Sequence, residues 1–244
     1  MFQENILNSL IFHIPHSSTH IPLTDGYDWS LVHKELQLLT DHDTDKIFNV
    51  PNTSKIITPF SRIFCDVERL SDDIEPMFQF GRGFFYTKTD SGLTLRSTDK
   101  EFKNHIYQNY YKPHHKLFND MVNHKLKEEG FCTIIDCHSF SDKPFLSDLK
   151  QDNSRPDICI GFDKFHTPNW LLDRLVCIFT LKGYSVKIND PYEGTIVPLE
   201  HFNINKNVNS VMIEINRKLY MNDNQPIPNE VEKLNKIIQE IFVL

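Results

Sequence analysis

"SLIFHIPHSSTHIP", residues 9–22, is the stretch whose reading decides the fold. The apolar run "SLIFHI" has the length and composition of a buried strand. It stops at Pro15 and His16, followed by the hydroxyl side chains of Ser17, Ser18 and Thr19. A plain surface turn would draw on Gly, Asn or Asp. A histidine placed where a buried strand ends is the arrangement by which open α/β proteins build sites at the carboxyl edge of a sheet.

Working outward, the same pattern recurs. "FCTIID" (131–136) is a strongly apolar strand that runs into Cys137 and His138, and "SVMIEI" carries Glu214 within an apolar strand. "KIITPF", "RIFCDV", "DICIGF" and "YSVKI" read as further short strands. "GFFYTKTDSGLTLR" reads as a hairpin that reverses at Asp90, Ser91 and Gly92. Between the strands lie helical stretches. One is 29–49, with Leu31, Leu36, Leu39, Ile47 and Phe48 on one stripe; another is 99–129, opened by the box Thr98–Glu101, kinked at Pro113 and stopped at Gly130. "NWLLDRLVCIFTLK" is bracketed by Thr167-Pro168 and Gly183, and a last helix begins near Pro228 with Val231, Leu234, Ile238, Ile241 and Phe242 facing inward. Strands alternating with helices predict an α/β fold: a central mixed, mostly parallel sheet with helices on both faces. No Gly/Ser- or Pro-rich linker divides the 244 residues, so one domain over 1–244 is expected.

Composition excludes several classes of function. The net charge is −7 and no basic run tracks phosphates, so nucleic acid is not an expected partner. No apolar run approaches the ~20 residues of a membrane helix. The five cysteines (65, 132, 137, 159 and 177) are odd in number, scattered, and mostly inside apolar runs. They read as free thiols in a reducing compartment. The opening "MFQENILNSL" lacks the basic and long apolar regions of a signal peptide, and the expected setting is cytoplasmic.

Each ionisable residue in an apolar strand demands a partner, because an unpaired buried charge is costly. Singly, they could be a capping His, a turn Asp and a Glu paired with Arg217. Jointly, at strand ends, they suggest a site. "LTDHDTDKIF" adds Asp41 and Asp45, four apart, which a helix would place on one face, where a nearby cation would relieve their repulsion. His16, one of these Asp residues and His138 form the two-His-one-carboxylate set of zinc hydrolases. Fe²⁺ or Mn²⁺ would also suit such ligands. Arg62 and Arg69 flank Asp66 in "SRIFCDVERLSDD" and suit a substrate carboxylate, with a salt bridge from Arg62 to Asp66 or Asp45 as the structural alternative. "NDPYEGT" (189–195) is a turn-rich loop suited to substrate contact, and "YYKPHHKLF" sets His114 and His115 in the long helix.

Taken in order, "IPHSSTHIP", "TDHDTDKIF", "SRIFCDVERLSDD", "GFFYTKTDSG", "PHHKLF", "IIDCHSF", "PDICIGF", "DPYEGT" and "VMIEINRKLYM" resemble the N-formylglutamate amidohydrolase family over residues 14 to about 221. The resemblance implies a fold related to zinc carboxypeptidases and hydrolysis of the amide of a small N-acyl amino acid. It implies His16, Asp45 and His138 as ligands of Zn²⁺ or another divalent metal, with Asp41 as the alternative to Asp45. It also implies Glu214 as the catalytic carboxylate and Arg62 facing the substrate and sharing in catalysis; Arg69, Tyr192 and Asn216 are expected as further substrate contacts. The sequence departs from the family pattern at Ser18 (usually Gly), at His42 (often aromatic) and at Glu68, where "DVER" replaces "DLNR". Three rivals remain open on the residues alone: a carboxypeptidase-like or cell-wall amidase acting on a larger substrate through a broad cleft, a non-catalytic binding module, and a structural metal site.

Overall fold

The computed structural model describes residues 7–71 and 74–243. Its centre is a six-stranded sheet in the order β2-β1-β3-β6-β4-β5. The strands are β1 Leu10–Ile14, β2 Ser54–Ile57, β3 Cys132–Phe140, β4 Ile158–Gly161, β5 Val186–Ile188 and β6 Val208–Asn216. All neighbours pair parallel except β4 with β6. The expected mixed, mostly parallel α/β sheet is therefore what the chain forms. A short antiparallel pair, β7 Met221–Asn222 and β8 Gln225–Pro226, follows.

The register divides the sheet into a greasy face and a working face. Side chains alternate along a strand, and register partners on neighbouring strands share a face. Phe12, Ile135, Cys137, Ile213 and Ile215 point to one side and form the main core with Leu171, Leu175, Leu234 and Ile238. Those last four come from α5 (Asn169–Leu181) and α6 (Pro228–Val243). On the other face His13 is the register partner of Asp136, and His138 that of Glu214. Ile11, Ile134 and Val208 anchor that face against Phe118 and Val122 of α4 (Lys112–Glu129). Because β1, β3 and β6 run parallel, their carboxyl ends emerge at the same edge, where His16, His138 and Glu214 gather.

The expected helix over 29–49 is two helices. α1 (Trp29–Leu39) stops because Thr40 turns extended, and Asp43 then takes a left-handed φ of 58° before α2 (Thr44–Ile47) begins. Asp41 therefore lies in the connection and not on a helix with Asp45. The long helix over 99–129 is also interrupted: α3 (Lys100–Ile106), capped by Asp99, passes through a π-helical turn, Tyr107–Tyr111, before α4. The irregular turn stands just ahead of Pro113, whose ring and missing N–H cannot continue a regular hydrogen-bond ladder. "RIFCDV" is not a strand but a chain of turns, in which Phe64 and Cys65 donate backbone hydrogen bonds to Ser61 O. The "TDSG" reversal is present, with Gly92 at φ 84°, but the arms make only isolated bridges.

Candidate active site

The connection after α1, the 61–69 turns and the edges of β1, β3 and β6 enclose a cavity of about 680 Å³. His16, Asp41, Arg62, Glu68, His138 and Glu214 all line it. His16 and His138, both almost wholly buried, stack at a tilt with ring centroids 5.1 Å apart.

Each imidazole is held on one side by a carboxylate. His16 Nε2 lies 2.9 Å from Asp66 Oδ1, and His138 Nε2 lies 3.1 Å from Asp136 Oδ1. Asp66 is fully buried and is a hub. It accepts from Arg62 Nε and Nη2 at 3.1 and 2.9 Å, from the Tyr86 hydroxyl at 2.8 Å and from the Glu68 amide at 3.1 Å. Burial alone would raise its pKa, but the Arg62 and His16 charges outweigh it and hold the carboxyl well below its usual range.

On the opposite side both rings turn toward Asp41. Asp41 Oδ2 is 3.1 Å from His138 Nδ1 and 3.7 Å from His16 Nδ1, while Oδ1 accepts from Arg217 Nη2 at 2.8 Å. His16 Nδ1 is buried and has no hydrogen-bond partner. Glu68 stands on the Nε2 side. Its two oxygens are each 3.1 Å from His138 Nε2, and ligand atoms of His16, Glu68 and His138 lie within 4.8 Å of one another. Burial opposes a charge on His138, yet Glu68 and Asp136 outweigh it and raise its pKa well above the ordinary value.

Glu214 faces this group from β6. It is 8% exposed, and its Oε2 is buried without a partner. Burial pushes its pKa up to about 8, against the pull of His138 and Arg217. Charge on an unpaired carboxylate in a dry site is what the protein disfavours here.

Not every expected residue reaches the cavity in the expected way. Asp45 lies half-buried in the first turn of α2 and is absent from the cavity lining, because the break at Thr40–Asp43 separates it from Asp41. Asn216 is fully buried and caps the 3₁₀ turn Arg217–Leu219: its side chain accepts from Lys218 N and donates to Pro156 O, so it is a structural cap and does not line the cavity. Arg62 lines the cavity, but its guanidinium is committed to Asp66. Arg69 lines it with looser ties, 3.8 Å to Asp66 and 3.6 Å to Glu75, and its buried Nε has no hydrogen-bond partner. Tyr192 lines it with its hydroxyl bound to Asp148 and Arg155. Asp66 and Tyr86 are the residues the sequence reading did not single out as site builders. Their signal was faint: an Asp between two Arg residues, and a Tyr in a run of aromatics.

Comparison with known proteins places this geometry. The family model described as FGase, N-formylglutamate amidohydrolase, matches residues 8–221. No curated protein sequence matches. A solved structure described as an N-formylglutamate amidohydrolase from Ralstonia eutropha superposes with a TM-score of 0.85 at 22% identity, over 97% of this chain and 92% of that one. A gene product of Agrobacterium tumefaciens superposes with a TM-score of 0.65 at 15% identity, also over 97% and 92%. At those identities the superpositions speak for the fold, while the family match spans most of the sequence, from ahead of β1 to the start of β7, and includes every cavity residue discussed above: the chain belongs to the N-formylglutamate amidohydrolase family.

Proposed function

We propose that the chain hydrolyses the amide of a small N-acyl amino acid with a free carboxylate, an N-formylglutamate-like substrate, with a divalent metal bound at His16, His138 and Asp41. The observation that carries the metal reading is the orphaned Nδ1 of His16. Metal-ligating histidines give their other ring nitrogen to a carboxylate. Here both Nε2 atoms already have one, Asp66 and Asp136, while both Nδ1 atoms converge on Asp41 Oδ2. Ligand atoms on one tetrahedral zinc sit roughly 3.3 Å apart, given bonds of about 2.0–2.1 Å. The spacings of 3.1 and 3.7 Å suit that. Zinc fits the mixed imidazole and carboxylate set, and when bound it would supply Lewis acidity toward the amide carbonyl and acidify a water.

The chain's own residues account for the rest. Glu214 accepts a proton from the attacking water and returns it to the leaving amine nitrogen, so water and amide give acid and amine. Burial raises its pKa to about 8 without metal, and a divalent cation beside it would draw that down toward neutral pH, where a general base works best. Arg217 stabilises Asp41, and Arg62 holds Asp66, so both position the histidines. Arg69, loosely paired to Asp66 and Glu75 and with its Nε unpartnered, binds the substrate carboxylate; this role was first expected of Arg62.

A second reading concerns size. A cavity of about 680 Å³ is larger than a formyl amino acid needs and falls in the range of drug-sized ligands, ~300–1,000 Å³. Leu149 and Leu199, both more than 70% exposed, stand in its lining. This favours a longer acyl or amino-acid portion within the same chemistry. Rates measured with zinc-loaded protein on N-formyl-L-glutamate and on a series of longer N-acyl glutamates test both readings. Release of formate at a rate that Glu214→Gln abolishes supports the reaction. A rising kcat/KM along the series supports the larger substrate.

A further inference from the structure

We infer that this chain carries a second divalent-cation site behind the first, formed by His13, Glu68 and Asp136. Ligand atoms of these three residues lie within 4.8 Å of one another. His13 Nδ1 is 3.2 Å from Asp136 Oδ1 and 3.5 Å from Glu68 Oε1. These are again the spacings of atoms sharing one small cation. The site does not overlap the one assigned above. That one uses the Nδ1 side of His16 and His138; this one lies beyond the Nε2 atom of His138.

Each member is fixed in place from behind. His13 is fully buried in β1, and Phe118 stacks on its ring at 4.8 Å and 8°. Its Nε2 is 3.1 Å from His114 Nε2. Two ring nitrogens at that distance require one to donate, and an Nε2–H on His13 leaves Nδ1 bare toward the carboxylates. A ligating imidazole whose other nitrogen donates to a fixed acceptor is the usual arrangement around a metal. Asp136 Oδ2 accepts from the Ile196 amide at 3.2 Å, and its Oδ1 lies between His13 Nδ1 and His138 Nε2, at 3.2 and 3.1 Å. Glu68 reaches both histidines of the first site as well as His13, and each of its oxygens is 3.1 Å from His138 Nε2. Its Oε1 approaches His13, while its Oε2 lies 3.6 Å from His16 Nε2. Imidazole with two carboxylates suits Zn²⁺, Mn²⁺, Co²⁺ or Fe²⁺.

The alternative use of these groups is a metal-free relay, with a charged His13 paired to Asp136 and Glu68. Metal-stripped full-length protein titrated with Zn²⁺, and with Mn²⁺ followed by electron paramagnetic resonance, separates the two. We expect two ions per chain in the wild type. His13→Gln should leave one tightly bound ion and weaken the other at least ~10–100-fold. His16→Ala should also retain one ion, held by the His13 cluster. A wild type that saturates at one ion overturns the inference without any variant. So does a His13→Gln protein that still binds two. Two bound ions with no hydrolysis of any N-acyl amino acid would sink the proposed reaction and leave this site standing.

Discussion

His138 and Glu214 are register partners on the parallel strands β3 and β6, with side chains on the same face of the sheet. The imidazole is held by Asp41 and Asp136, at 3.1 Å on each side. The carboxylate keeps an oxygen buried and unpaired. A rigid parallel pair thus fixes the spacing between a held histidine and a free base, and the predictions follow from that contrast.

Glu214 costs the fold stability for the sake of its free oxygen. Its folded pKa of about 8 stands above the ordinary 4.5. Below pH 4.5 it is protonated in both folded and unfolded chains. Between 4.5 and 8 the native state keeps a proton that the unfolded state gives up, so this contribution to stability falls as pH rises through that window. Metal-free Glu214→Gln lacks the penalty. Urea melts should show it close to wild type at pH 4 and more stable by about 1–4 kcal/mol at pH 9. A gap that does not grow with pH would contradict the burial of an ionisable carboxylate here.

Asp41 and Asp45 should separate cleanly. Asp41→Asn should lower zinc affinity at least ~10–100-fold, and it should destabilise the protein, since Arg217 would lose its buried partner. Asp45→Asn should bind zinc within about a factor of three of wild type. Calorimetric zinc titration of the two variants checks this, and equal losses would return Asp45 to the site.

Arg69 and Arg62 should divide recognition from stability. Converting the substrate carboxylate to an amide removes a charge-assisted contact of ~1.5–3 kcal/mol, a drop in kcat/KM of roughly 10- to 200-fold. Arg69→Ala should erase that discrimination and keep the fold. Arg62→Ala should instead lower stability by about 3–5 kcal/mol, because Asp66 is left buried without its strongest partner. The comparison is acid against amide substrate on both variants, beside their thermal melts. Discrimination that survives Arg69→Ala moves recognition elsewhere.

Cys177 is exposed, and Cys65, Cys132, Cys137 and Cys159 are buried. Burial pushes the Cys132 and Cys159 thiols up to about 12, so neither supplies thiolate at neutral pH. A thiol reagent should therefore label one cysteine per native chain quickly and the rest only on unfolding. Fast labelling of two or more would show the sheet core open.

Much of this arrangement was legible in the sequence because it is written in strand periodicity. "LIFHI", "CTIIDCHS" and "VMIEI" each interrupt an apolar run with an ionisable residue, and parallel strands bring such interruptions to one edge. The helix-spaced pair Asp41 and Asp45 misled, since helical spacing says nothing where Asp43 adopts a left-handed φ of 58°. "RIFCDV" (62–67) reads as a strand from its Ile, Phe and Val content. Its turns are set by backbone bonds to Ser61 and by the many donors that Asp66 collects, which no local pattern encodes. Asn216 ends β6 two residues after Glu214, but its cap on the following turn takes its side chain out of the cavity. His13 lay in view within the first strand. Only its register with Asp136 shows what it faces.

The most direct measurement is formate release from N-formyl-L-glutamate by the zinc-loaded wild type beside zinc-loaded Glu214→Gln, with metal content determined on the same samples. The expected outcome is turnover by the wild type, equal zinc in both proteins, and a kcat at least ~10²-fold lower in the variant. Near-equal turnover at equal zinc would contradict the account, because the unpaired carboxylate of Glu214 would then have no part in moving the proton.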